Sequence, residues 1–319
     1  MSLTVEAAQD DVMNGLQLPE GVGLTALFAA YARAQETRRT DRLFADPLAE
    51  EFVVRALGVN AEGRSLPRLG PAREDDSSHL WNGLYSLFSA RTGFYDSYLL
   101  DRVTADCRQI VLLGAGLDTR AFRLSLPVDT VVYEVDTPGV LTFKDKVLAD
   151  VGAEAAIRRV PVETDLRDDW PRELLAAGFA PKTPTTWLAE GLLMYFQPAE
   201  TDRFLDEIGK LSAPGSSLAG EYLTRRTRLT DIPISDDSDR AVATVFVSSD
   251  QGGPELWPPS EWLRAHGWTG DGPDLVDELN IAGRPVPELF NPHKPDALRL
   301  RLFSAALNPR DDRPGTANR

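Results

Sequence analysis

Leu24, Leu27, Phe28 and Tyr31 recur at steps of three and four residues, the repeat of one helix face, and predict a helix early in the chain. A second helix is announced by Asp46, a residue type that caps N-termini. Pro47 follows it, and its fixed φ and missing N–H suit the first helical position. The stretch NAEGRSLPRLGPAREDDSS, residues 60–78, breaks the apolar pattern with Gly, Pro, Ser and charge, and predicts a mobile connection. A third helix is expected over 79–100. After it the pattern changes to short β-rich runs: QIVLLGAG (109–116), TVVYEVD (130–136), IRRVPVE (157–163), TTWLAE (185–190) and SSLAGEYL (216–223). Helical segments separate these runs, so they predict βαβ units and a parallel sheet. Phe204, Leu205, Ile208 and Leu211 mark the face of one such helix, which Pro214-Gly215 stops. Residues 224–258, with SDDSD and QGGPELWPP, read as an insertion over the sheet edge. ALRLRLFSAAL (297–307) reads as a closing strand and DDRPGTANR as a frayed tail. No internal repeat interrupts this order.

Composition narrows the function classes. The chain has 319 residues and a formal charge of −15, from 34 basic and 49 acidic side chains, a field that repels phosphate backbones and anionic lipid surfaces. Neither nucleic acid nor a membrane is an expected partner. Cys107 is the one cysteine, and His79, His266 and His293 lie far apart, so no metal-ligand spacing is present. The acidic opening MSLTVEAAQDD lacks the basic-then-apolar order of a signal peptide, and a cytoplasmic, reducing location is expected.

The run IVLLGAGLDTR, residues 110–120, carries the first chemistry. A buried strand that ends in Gly114 and Gly116 before a helix lets backbone approach a ligand at the carboxyl edge of a sheet. Asp136 ends the next strand at the distance where an acid can accept hydrogen bonds from ribose hydroxyls. Glu134 shares its strand face and is the alternative. A nicotinamide-dependent dehydrogenase would use the same parts, but Thr119 stands where its fingerprint wants a third small residue. A tight βα turn with no ligand is the remaining reading.

The blocks ARTGFYDSYLL, LLGAGLDTRAFRL, VYEVD, TDLRDDWP and AEGLLMYF stand in that order over residues 24 to about 223, and the likeness resumes near PPSEWLRAHGW. Together they resemble the leucine carboxyl methyltransferase family of S-adenosylmethionine-dependent methyltransferases, in particular its actinobacterial branch. The resemblance implies an α/β fold, a class I (Rossmann-like) seven-stranded, mostly parallel sheet with a helical cap. Residues 1–100 would form the cap and 101–319 the cofactor-binding core, with no recognised block in 224–258. It also implies site roles, several of them with a competing reading. Arg91 would pair with the methionyl carboxylate, or is a surface arginine. Gly114 and Gly116 would flank the amino-acid half. Asp165 with Leu166 would meet the adenine edge, or Asp165 caps a helix. Glu190, a carboxylate in an apolar strand that needs a partner, would take the ligand ammonium. Tyr195 would line the acceptor side as the catalytic candidate, or belongs to the core. The expected reaction is O-methylation of a small acidic metabolite at a carboxylate, which is ionised at neutral pH and needs no general base. Arg225, Arg226 and Arg228 are the expected acid-binding groups, or only balance nearby acids. A phenol or alcohol acceptor, which would want His79, His266 or Tyr195 as base, and a protein C-terminal carboxylate are the alternatives.

Overall fold

Residues 22–56, 79–105, 107–235, 237–254 and 258–309 are described by the computed structural model. The expected connection over 60–78 and the terminal tail lie outside them. The helices are α1 (Val22–Arg38), α2 (Pro47–Ala56), α3 (His79–Thr104), α4 (Arg120–Arg123), α5 (Pro138–Asp150), α6 (Trp170–Ala176), α7 (Pro198–Lys210), α8 (Asp237–Ser249), α9 (Pro259–Ala265) and α10 (Leu275–Ile281). The strands are β1 (Gln109–Leu113), β2 (Val131–Asp136), β3 (Arg158–Glu163), β4 (Thr185–Ala189), β5 (Ser217–Leu223), β6 (Trp268–Asp271) and β7 (Leu300–Leu307).

The three strands that read as unbroken apolar runs occupy the middle of the sheet, because only there are both faces covered. Every residue of β1, β4 and β5 is buried, whereas in β3 at the edge Val162 alone is buried. The order is β3-β2-β1-β4-β5-β7-β6, parallel except for β7, which runs antiparallel to β5 and β6. This is the seven-stranded, mostly parallel sheet that the resemblance implied. Alternate side chains feed two cores, as a period of two requires. Ile110 and Leu112 join α1, α3 and α5 on one face. Val111 and Leu113 join α6, α7 and α9 on the other.

Two details position the site. Asp46 caps α2 as expected, its Oδ1 accepting from the Ala49 N–H at 3.2 Å, and its Oδ2 also receives Arg33 Nε of α1 at 2.8 Å. Arg33 Nη2 then donates to the Leu117 carbonyl at 2.6 Å, which ties α1 to the turn after β1. The insertion packs on helices: α8 contacts α3, and its Phe246 ring lies 5.8 Å from that of Phe28 on α1, so it forms part of a wall.

Candidate active site

Strand order reverses at β1, whose neighbours β2 and β4 lead to opposite halves of the sheet. Open α/β sheets bind ligands at the carboxyl end of such a point. A cavity of about 360 Å³ opens there, lined by the turn after β1, by the ends of β2 and β4, and by α1 and α3. The turn needs its glycines. Gly114 and Gly116 hold φ of +65° and +51°, and a Cβ on Gly114 would come within 3.0 Å of Leu192, one on Gly116 within 3.3 Å of Ala26. The N–H groups of Gly114 and Ala115 are spent on the Val135 carbonyl, and that of Gly116 on Asp136 Oδ2 at 2.7 Å.

Asp136 therefore sits beside the turn with its other oxygen accepting from the Thr137 N–H at 2.7 Å. Each carboxylate oxygen keeps capacity for a further donor. Burial pushes the Asp136 carboxyl above its usual value, against the lowering by these backbone N–H groups. Glu134, the alternative acid, does not line the cavity. It is fully buried, and its Oε2 lies 2.6 Å from Lys144 Nζ and 2.7 Å from Arg159 Nη2, so its charge is consumed by neighbouring cations.

The cavity floor is an ion-pair network. Arg91, buried on α3, gives Nε to Glu190 at 2.9 Å and Nη1 to Glu221 at 2.7 Å. Arg120 joins Glu190 at 2.7 Å, Asp96 at 2.7 Å, and Asp118. Arg123 holds Asp96 at 2.5 Å and reaches Asp46, which Arg33 also holds. Arg91 is thus no surface arginine, and two of its donor positions already serve protein carboxylates. The burial of Glu190 is likewise explained by two arginines without a ligand ammonium. Burial raises the Glu190 carboxyl, but Arg120 and Arg91 outweigh it and hold the group below its ordinary value. Asp118 is held at about 2 despite burial, with Arg120 the main opposing charge. Glu221 goes the other way, pushed up by burial that Arg91 does not fully offset.

Glu221 and Asp118 were missed as site residues. The signal for Glu221 was the one used for Glu190, an acid inside the apolar strand SSLAGEYL. In the fold its oxygens accept from Arg91, Tyr95 and the Gly191 N–H. Asp165 lines the cavity with Leu166. Asp165 does not cap α6, which begins at Trp170, and its Oδ1 accepts from the Arg167 N–H at 2.8 Å. Tyr195 also lines the cavity. Its hydroxyl donates to Thr25 Oγ1 at 3.2 Å, and burial raises its pKa, so it suits a fixed donor and not a base.

The proposed acid-binding arginines are a correction. None lines the cavity: Arg225 is spent on Asp231 and Asp296, Arg226 on the Asp250 carbonyl, and Arg228 on Asp296. The histidines are elsewhere too. His79 and His293 are exposed, and His266 sits between Asp202 and Asp206. Among the described residues no group of three or more His, Cys, Asp or Glu is arranged for a metal, and no helix is long and apolar enough to cross a membrane.

The family model for leucine carboxyl methyltransferase matches residues 26–209. A Streptomyces coelicolor protein, assigned by name to the S-adenosyl-L-methionine-dependent methyltransferases, is 44% identical over 273 residues, covering 84% of this chain and 88% of its own. A Frankia alni protein with the same assignment is 42% identical over 288 residues, covering 89% of this chain and 95% of its own. Among solved structures, a methyltransferase from Thermobifida fusca aligns over 88% of this chain and 94% of its own, with 17% identity and a TM-score of 0.48.

Proposed function

Because the chain belongs to the leucine carboxyl methyltransferase family and is an S-adenosylmethionine-dependent methyltransferase, we propose that it methylates a carboxylate of a small molecule. Its residues fit the cofactor. In the floor network four guanidinium groups (Arg33, Arg91, Arg120, Arg123) meet five carboxylates (Asp46, Asp96, Asp118, Glu190, Glu221), one positive charge short. A ligand with a sulfonium, an ammonium and one carboxylate supplies that charge. Asp136 would hold the ribose diol, Asp165 and Leu166 the adenine edge, and Gly114 and Gly116 the approach to the amino-acid half. Glu190 and Arg91 would orient its charged end. When bound, the cofactor supplies a methyl group on a positively charged sulfur.

The observation that carries the carboxylate reading is the makeup of the cavity wall: among the described residues it holds no His, Lys or Cys. An ionised carboxylate needs no base. Such an oxygen would take the methyl group that the cofactor supplies without giving up a proton, so no residue of the chain would have to hold or move one. The chain's own part is then positioning and exclusion of water. Residues 22–56 and 79–100, as the described part of a cap over the cofactor-binding core, would serve that exclusion, with Arg33 as one tie between them.

A hydroxyl acceptor is the second reading, and Asp250 favours it. This buried carboxylate lines the cavity, accepting from Thr227 N–H at 2.6 Å and Gly252 N–H at 2.8 Å. The pH profile separates the two. With saturating cofactor, kcat/KM for a carboxylic acid acceptor is expected to be flat above about pH 6, since an ordinary carboxyl titrates near 4. A rate that climbs through neutral pH and collapses in Asp250→Asn, or a product stable to mild alkali, would sink the carboxylate reading.

The two acids of β2 should part company in the same assays. Glu134→Gln leaves Lys144 short of its counter-charge, so stability is expected to fall by about 1.5–3 kcal/mol, with cofactor affinity unchanged. Loss of affinity by calorimetry, with the unfolding midpoint intact, would return Glu134 to the site.

A further inference from the structure

On α3, Leu80, Leu84, Leu87, Phe88 and Arg91 all line the cavity, at steps that place them on one helix face. From Arg91 back to Leu80 the helix rises about 16 Å, at roughly 1.5 Å per residue. The cavity therefore runs along α3 from the ion-pair floor toward the helix start, and on this flank every lining side chain beyond Arg91 and Thr92 is apolar. The other lining of this arm is largely apolar too. Ile232, Phe246, Leu289, Leu298 and Leu300 line the cavity and belong to, or pack against, the same hydrophobic cluster as Leu80, Leu84 and Phe88, with Thr227 and Asp250 the polar groups beside Phe246. Arg225 and Arg228 are turned to acids outside it and Arg226 to the backbone carbonyl of Asp250, and none of the three lines this arm.

We propose that the acceptor is an amphipathic carboxylic acid whose aliphatic chain, about thirteen carbon–carbon bonds long at an advance of ~1.25 Å per zigzag bond, fills this arm while its carboxylate lies at the cofactor end. The inference rests on the carboxylate reading for the reacting group, and on the wall alone for the chain. A small polar acid would leave the arm to water against leucine and phenylalanine. A chain removes apolar surface on both sides from water, which is the main source of affinity in such a site.

The test uses the full chain with methyl-labelled S-adenosylmethionine and straight-chain acids from about four to sixteen carbons, beside the matching primary alcohols, short dicarboxylic acids and a peptide ending in leucine. Label in the acids should rise about two- to fourfold in kcat/KM per added methylene until the arm is full, the scale set by burying one CH₂. Phe246→Trp, which narrows the arm at a half-buried position, should move the optimum to shorter acids with cofactor affinity unchanged. No dependence on chain length, or preference for the dicarboxylic acids or the peptide, overturns the chain inference and leaves carboxylate methylation standing. Label in the alcohols with the same length dependence does the reverse: it removes the carboxylate and keeps the arm. If nothing is labelled, displacement of a fluorescent polyene fatty acid reads the arm directly. Displacement that strengthens with chain length supports it, and failure of the probe to bind overturns it.

Discussion

Arg91→Met is expected to lower the free energy of unfolding by about 3–5 kcal/mol, the usual result of removing one partner from a buried ion pair. Methionine fills the space without a charge, so Glu221 keeps only Tyr95 and the Gly191 N–H, while Glu190 keeps Arg120. The loss should depend on pH with a definite sign. Glu221 is already pushed up by burial with Arg91 present, and without that cation its folded pKa rises further above the unfolded value. A group of that kind binds more protons folded than unfolded, so the variant regains stability as pH falls and loses it as pH rises through the folded pKa. The gap to the parent protein should be widest near pH 8 and narrow toward pH 5. Urea titrations at the two pH values measure it, and a gap that stays constant would mean that Glu221 is not the group left unpaired. Cofactor binding should fail in the same variant, with Arg91→Lys intermediate because it restores a charge but not the fork.

For Asp136→Asn the larger expected loss is in affinity: about 3 kcal/mol for S-adenosylmethionine, a hundredfold or more, from two charge-assisted hydrogen bonds to a diol. The side chain holds no cation, but its two oxygens accept from the Gly116 and Thr137 N–H groups, so the amide nitrogen of Asn faces one of these donors and stability falls by about 1–3 kcal/mol. Its carboxyl is raised by burial. In the parent protein, affinity should therefore begin to fall, as pH is lowered, above the ordinary carboxyl value near 4, and Asn should abolish that acid limb. Calorimetry from pH 5 to 8 reads both effects. Unchanged affinity in Asp136→Asn would remove the ribose role.

Much of the sheet could be read from the chain because its central strands carry their own signal. QIVLL, TTWLA and SLAGEYL are buried along their whole length on both faces and, Glu221 apart, carry no charge, a pattern that suits the covered middle of a sheet. Asp46 with Pro47 located the start of α2 for a local reason, since capping involves residues three apart. The strand WTGD was not legible. It has four residues, two of them poor strand formers, and exists through its pairing with β7 some thirty-five residues later. The closing strand begins at Leu300 and not at 297 for a related reason, since its extent is set by the partners β5 and β6.

The sequence by itself determined the family, the order of elements and the turn at Gly114 and Gly116, because ordered blocks and left-handed glycines are local properties of the chain. Only the tertiary structure decided how charge is shared. Glu134 and Asp136 are two residues apart on one strand, yet Lys144 and Arg159 consume the first, while the second stays at the cavity. Arg91 meets Glu221 across 130 positions, and Arg225, Arg226 and Arg228, which read as cations for an acidic substrate, are satisfied elsewhere. A charged side chain in an apolar setting must find a counter-charge, but its sequence position does not say which one. The partner is chosen by the packing of helices on the sheet, and the apolar arm beside Arg91 is the space that this packing leaves.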